Sequence, residues 1–83
     1  MFYHIGFNNM VSLDRVIAVI DTSKAMPAPI ARQVSAAKKE GRVIDATSGR
    51  RTGTVFFMDN GMIVLSSKTG KTVRFNLIED EEQ

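Results

Sequence analysis

Apolar residues follow two different rhythms along this chain, and the change of rhythm marks its elements. Phe2 to Phe7 is an apolar-rich stretch closed by Asn8-Asn9, and Val11 followed by Val16-Ile17-Ala18-Val19-Ile20 is rich in β-branched residues; both predict strands. Asp21 to Ala28 holds Thr22, Ser23 and Pro27 and predicts a loop. Pro29 suits the first turn of a helix, where its missing N–H costs nothing. From there Ile30, Val34 and Ala37 recur at spacings of four and three, an apolar stripe for a core, while Arg32, Lys38 and Lys39 project elsewhere. The helix is expected to run to about Glu40, with Gly41 as its stop.

In the second half, Thr54 to Met58 and Met62 to Ser66 are apolar runs on either side of Asp59-Asn60-Gly61. Asn-Gly favours a two-residue type I′ loop, which would pair Met58 with Ile63, Phe57 with Val64 and Phe56 with Leu65. One face of the hairpin would then carry Phe56, Met58, Ile63 and Leu65, and the other Val55, Phe57, Met62 and Val64. Both are apolar, so the sheet needs two covers. The helix supplies one; the N-terminal strands or a second copy of the chain must supply the other. Thr69-Gly70 suggests a turn into a last strand, Lys71 to Leu77, in which Val73, Phe75 and Leu77 alternate with polar residues. The fold class expected is α+β: a small, mostly antiparallel β-sheet domain with one main helix.

Composition narrows the function. The chain has 83 residues, 43% hydrophobic and 24% charged, enough for one folded domain and one core. It has no cysteine, which excludes a disulfide framework, thiolate metal ligation and a cysteine nucleophile, and points to the cytoplasm. The longest aliphatic run, Val16 to Ile20, is far too short to span a bilayer, and no membrane partner is expected. Four acids, Glu79, Asp80, Glu81 and Glu82, crowd the last five residues. Residues 1–78, read as the single domain, carry eleven bases and five acids, a formal charge of +6, and residues 79–83 read as a solvated acidic tail. A basic body of this size attracts polyanions, nucleic acid first.

Catalysis finds little to work with. His4 is the one histidine and sits in an apolar strand, no His or carboxylate cluster has metal-ligand spacing, and Gly70-Lys71-Thr72 lacks the glycine that a phosphate-binding P-loop would need at Leu65. Met10, Met26, Met58 and Met62 read as core or interface filler. No enzyme, cofactor, metal or small-molecule substrate is expected. The one constellation with chemistry is Ile44-Asp45-Ala46-Thr47-Ser48-Gly49-Arg50-Arg51-Thr52-Gly53, a turn-rich segment between a short strand and the hairpin. Two adjacent guanidiniums can grip phosphate oxygens bidentately, the flanking glycines let backbone N–H groups approach, and the Thr52 hydroxyl adds a donor. The competing reading is a solvated loop with surface salt bridges. Asp45 reads as a turn residue whose side chain caps neighbouring amides. Arg15 has acids close by, Asp14 and Asp21, and local pairing competes with any ligand role.

Ile5-Gly6-Phe7-Asn8-Asn9, Arg15 before Val16 to Ile20, Ala28-Pro29-Ile30, and above all Ile44-Asp45-Ala46-Thr47 with Gly49-Arg50-Arg51-Thr52 and Ile63-Val64-Leu65-Ser66 resemble the RemA family of bacterial extracellular-matrix regulators. The likeness spans about residues 3 to 66 and fades beyond Ser66. It implies a small cytoplasmic DNA-binding protein that activates matrix and biofilm operons and assembles into a homo-oligomeric ring around which DNA is bound. The same resemblance places the DNA contacts on Arg50 and Arg51, with Thr52 in the same loop, and on Arg15. The chain departs from the family at Ser48, where an aromatic is frequent, and at Gly53, where a basic or other side chain is common.

The expected partners are therefore double-stranded DNA and further copies of the chain. Phosphate contacts carry no sequence information, so specificity would rest on DNA bendability and groove width. Two other readings stay open: a small β-rich RNA-binding module using the same basic loop, and a structural or protein-interaction module gripping an acidic partner.

Overall fold

The computed structural model of the protein describes residues 1–73. Strands β1 (Phe2–Gly6) and β2 (Asn9–Ser12) pair antiparallel as a separate two-stranded sheet. A single 3₁₀ turn, Leu13–Arg15, redirects the chain into β3 (Val16–Asp21), so the branched stretch that begins at Val11 is divided between two sheets. Helix α1 (Ala28–Lys39) leads to β4 (Val43–Ala46), and β5 (Thr54–Met58) and β6 (Ile63–Ser66) complete a four-stranded sheet ordered β3-β5-β6-β4. Its β3–β5 and β5–β6 pairings are antiparallel, and β4 pairs parallel with β6. This is the expected α+β domain, six strands in two sheets with one main helix.

The helix ends as its sequence requires. Gly41 takes φ +73°, donates to the Lys38 carbonyl at 3.2 Å, and lets the Arg42 N–H reach the Ala37 carbonyl at 2.8 Å. Those two bonds are the Schellman pattern that satisfies the last carbonyls of a helix.

The hairpins correct two expectations. β5 and β6 pair Phe57 with Ile63, Phe56 with Val64 and Val55 with Leu65, one residue out of the register expected from a two-residue loop. Asp59, Asn60 and Gly61 all lie in the connection; the Gly61 N–H donates to Met58 O at 3.2 Å and Met58 N–H to Met62 O at 3.0 Å. Gly61 has φ +85°, whereas Asn60 is not among the residues with positive φ. A type I′ turn needs both central residues there, so this is a three-residue loop with its glycine left-handed. The two-residue loop belongs instead to β1–β2, where Gly6 faces Asn9 and Phe7 (φ 52°) and Asn8 (φ 65°) form the connection.

The one-residue shift regroups the core, because side chains alternate faces. Val55, Ile63 and Leu65 pack with Val34 and Ala37 of α1, and Phe57 joins them. Phe56 and Val64 pack with Tyr3, Ile5 and Val11 of the N-terminal hairpin. Two covers are present, as both apolar faces demand, and the second is the β1–β2 hairpin. Ser66, fully buried, donates its hydroxyl to the Ile5 carbonyl at 2.8 Å and ties that hairpin to the sheet.

Residues 70–73 are helical, which replaces the described part of the strand expected over Lys71 to Leu77. The Thr69 hydroxyl caps the Thr72 N–H at 3.2 Å, and Val73 N–H donates to the Thr69 carbonyl at 3.0 Å. Val73 is buried in the hairpin-side core. The remainder of that stretch and the acidic tail at 79–83 lie outside the described residues.

Candidate nucleic-acid interface

The loop between β4 and β5 is anchored at both ends. At its entry the Asp45 carboxylate accepts the Thr47 N–H at 2.9 Å and the Thr47 hydroxyl at 2.6 Å, the amide-capping role its type suggests. Ser48 and Gly49 then turn through φ 52° and 78°, and Arg50 N–H closes the turn on the Thr47 carbonyl at 3.1 Å. At the exit, buried Gly53 donates to Ser66 O at 2.8 Å and accepts from Thr22 N–H at 2.9 Å. The Thr22 hydroxyl adds a bond to the Thr52 carbonyl at 3.2 Å. A Cβ on Gly53 would stand 2.3 Å from the Lys68 carbonyl oxygen, so no side chain fits there without moving that backbone.

Between these anchors Arg50 and Arg51 are exposed. The Arg50 guanidinium lies over the Phe7 ring, 5.3 Å from its centroid, and Arg51 donates to the Lys24 carbonyl at 2.8 Å. Among the described residues neither arginine has an ion pair. The five acids there are engaged elsewhere: Asp14 with the N-terminus, Asp59 with Arg15, Glu40 with Arg42, Asp21 with Ser23 and Asp45 with Thr47. Thr52 is half-buried, its backbone held by Thr22. Lys68 joins this end of the sheet, its ammonium bound to the His4 carbonyl at 2.7 Å and 5.2 Å from the Tyr3 ring centroid. Spacing along the sequence does not place it here, but register does: Thr54 faces Ser66, which sets Lys68 beside the loop exit. Chemically this is an outward cluster of cations without a carboxylate partner among the described residues, with guanidinium donors suited to an oxyanion.

The Thr47 hydroxyl, and then the Thr47 N–H, hold the Asp45 carboxyl below its ordinary value against an opposing desolvation, with a smaller pull from Lys38. The folded group is therefore the stronger acid, and its contribution is complete above the usual carboxylate range and disappears as pH falls through the lowered value. A carbon-13 titration of Asp45 is expected to give a midpoint below that of an aspartyl peptide, with the loop unchanged at neutral pH. A midpoint at or above the peptide's removes this anchor from the account.

Arg15 sits elsewhere. It precedes Val16, which faces Met58, at the end of the sheet opposite to Thr54, Ser66 and the arginine loop. The five residues of β5 separate the two ends by roughly 16 Å at ~3.3 Å per residue. Its guanidinium pairs with Asp59 at 3.2 Å rather than with Asp14 or Asp21, and Asp59 N–H also donates to the Arg15 carbonyl at 2.8 Å. Both side chains are open to solvent, a kind of pair worth only about 0–1 kcal/mol and easily exchanged. One copy of the chain thus brings Arg50, Arg51 and Thr52 together and leaves Arg15 apart.

The sequence profile of the RemA-like family, described as extracellular matrix regulatory protein A-like, matches residues 2–77. The chain belongs to this family. It is 42% identical over 84 residues to a protein of Carboxydothermus hydrogenoformans, covering 99% of this chain and 93% of that one. It is 42% identical over 79 residues to one of Gloeothece citriformis, covering 95% and 86%. A Geobacillus protein is 38% identical over 81 residues, covering 98% and 90%. All three carry names that describe candidate regulatory proteins. The RemA-like match runs past Ser66, where the resemblance read from motifs stopped, and so takes in Lys68 and Lys71. Among the described residues no helix is long and apolar enough to cross a membrane, and no group of three or more His, Asp or Glu could hold a metal.

Proposed function

We propose that this RemA-like protein is a cytoplasmic transcriptional regulator that binds double-stranded DNA through the Arg50-Arg51-Thr52 loop, presented repeatedly by a homo-oligomer. The observation that carries the reading is the pair of adjacent, exposed guanidiniums on a loop anchored at both ends, neither of them ion-paired among the described residues. A preorganised pair of this kind grips phosphodiester oxygens without first breaking an ion pair. Contacts to phosphate position a protein on any sequence, so selectivity comes from how readily a given duplex bends.

The placement of Arg15 is consistent with assembly. Because it lies at the opposite end of the sheet from Arg50, copies set side by side would present Arg15 and the arginine loop alternately along one curved duplex. The β1–β2 hairpin covers the middle of its face, over Phe56 and Val64, and leaves the margins over the edge strands β3 and β4 open. Among the described residues β3 and β4 have no outer partner strand, and they expose Ile17 (69%), Val19 (36%) and Ile44 (48%). Unpaired edges with exposed branched side chains invite a neighbouring copy. Repetition of one loop then multiplies weak contacts through effective concentration.

The RNA-module reading gains one observation: Phe7 is 46% exposed, an aromatic face available to an unpaired base. Competition decides between them. Fluorescence anisotropy with a labelled duplex is expected to show displacement by unlabelled duplex DNA and not by equal single-stranded RNA. Three arginines on three phosphates give a salt slope of about −2.7, or roughly 40-fold in affinity between 50 and 200 mM salt. Salt-independent affinity, or preferential displacement by RNA, overturns the proposal.

A further inference from the structure

Phe7 occupies a position for which its residue type is poorly suited. Gly6, Phe7 and Asn8 take φ of 105°, 52° and 65° in succession, and the two central residues of such a tight hairpin are ordinarily Asn, Asp or Gly. A bulky side chain in the left-handed region is strained, and the strain has to be balanced by something the residue does. Core packing is not that role. Phe7 belongs to neither hydrophobic cluster and is 46% exposed, whereas Tyr3 and Ile5 of the preceding strand are buried. What it does touch is Arg50, whose guanidinium lies 5.3 Å from the ring centroid although one residue is in the β1–β2 connection and the other in the β4–β5 loop, distant parts of the chain.

We propose that Phe7 is a duplex-contacting residue, its ring packing against the deoxyribose and base edges next to the phosphate gripped by Arg50. This rests on the DNA-binding reading above and adds an apolar, salt-independent contact to it. A guanidinium can stack on an aromatic face while its N–H edge engages an oxyanion, so the two side chains act side by side. Apolar side chains set beside cationic ones are how groove-binding proteins press on a base step and bend it. A tight hairpin tip, stiffened by β1–β2 pairing and by the Asn9 side chain bonded to the Gly6 and Phe7 carbonyls at 3.3 and 3.1 Å, fixes where such a ring stands beside Arg50.

The test uses the full-length protein, a labelled duplex and a salt series, with Phe7→Asn, Phe7→Tyr, Arg50→Ala and the Phe7→Asn/Arg50→Ala pair. Asparagine accepts the left-handed conformation, so Phe7→Asn is expected to melt at the same temperature as the parent or higher. Its duplex affinity should nevertheless fall about tenfold at every salt concentration, leaving the salt slope unchanged. Phe7→Tyr keeps the ring and should bind within about twofold of the parent. In the Arg50→Ala background the loss on Phe7→Asn should persist, because the ring acts on DNA directly. Parental affinity of Phe7→Asn, a loss that vanishes without Arg50, or a loss confined to single-stranded RNA overturns the inference. Failure of the parent reading looks different: Arg50→Ala itself would leave duplex affinity and slope untouched.

Discussion

Replacing Arg50 and Arg51 together by alanine is expected to lower duplex affinity by about 10²-fold or more for every DNA sequence, with fold and assembly size unchanged. The magnitude follows from two charge-assisted contacts at about 1.5–3 kcal/mol each, where every 1.4 kcal/mol is a factor of ten. Copies engaged on the same duplex compound the loss. The salt slope should flatten by about 0.9 for each phosphate contact removed, which separates a lost phosphate contact from general damage. Stability should hardly change, because both side chains are exposed and neither is in an ion pair among the described residues. Among the described residues, the fold gives up one bond to the Lys24 carbonyl and one ring contact with Phe7. Such surface truncations stay within about 0.5 kcal/mol. Anisotropy over a salt series, with light scattering on the same samples, reads both halves of the prediction. Unchanged affinity with intact assembly would show that the loop's charge serves another partner, an acidic protein surface first among them.

Much of this site is legible in the residues, and the parts that are not have identifiable causes. The Asp45 cap, the Gly41 stop and the Ile30, Val34, Ala37 stripe depend on neighbours within a few positions, and local chemistry settles them. The hairpin register does not. Asp59-Asn60-Gly61 fits a two-residue loop with Asn60 and Gly61 both left-handed and a three-residue loop with only Gly61 so. The choice depends on which side chains meet α1, which is tertiary information. Arg42 reinforces the outcome, its guanidinium bonded to the Gly61 carbonyl and its own carbonyl accepting the Ile63 N–H at 2.9 Å.

Arg15 and Phe7 escaped for related reasons. The partner of Arg15 is 44 positions away and is supplied by β3–β5 pairing, so the acids near it in sequence, Asp14 and Asp21, do not reveal it. Phe7 lies at a turn that ordinary turn chemistry would assign to Asn or Gly, and a strand was the reasonable expectation for an aromatic there. Lys71 to Val73 alternates like a strand but follows Thr69, and capping of the Thr72 amide by that hydroxyl outweighed the alternation.

Gly53→Ala is expected to destabilise the protein by about 2 kcal/mol or more, which for a domain of this size lowers the melting temperature by roughly 10 °C. Gly49→Ala in the same loop should cost only about 1 kcal/mol, and the ranking is the informative part. Gly49 has the left-handed φ of +78° and open space around it, so alanine there meets backbone strain alone. Gly53 has no such φ, but a Cβ would sit 2.3 Å from Lys68 O and 2.9 Å from Ser67 O, both main-chain atoms that cannot swing aside. Relief requires the segment after β6 to withdraw from the loop exit. That withdrawal pulls on the Gly53–Ser66 and Thr22–Gly53 bonds and on the Thr54 hydroxyl's bond to Lys68 O at 3.2 Å. Gly53→Ala should therefore also weaken DNA binding, through displacement of Arg50 and Arg51 rather than loss of charge, with the salt slope reduced only in part. Thermal melts of the two variants beside the parent check the ranking. A larger loss from Gly49→Ala would mean that the loop is held by its left-handed turn and not by the close main-chain crossing at its exit.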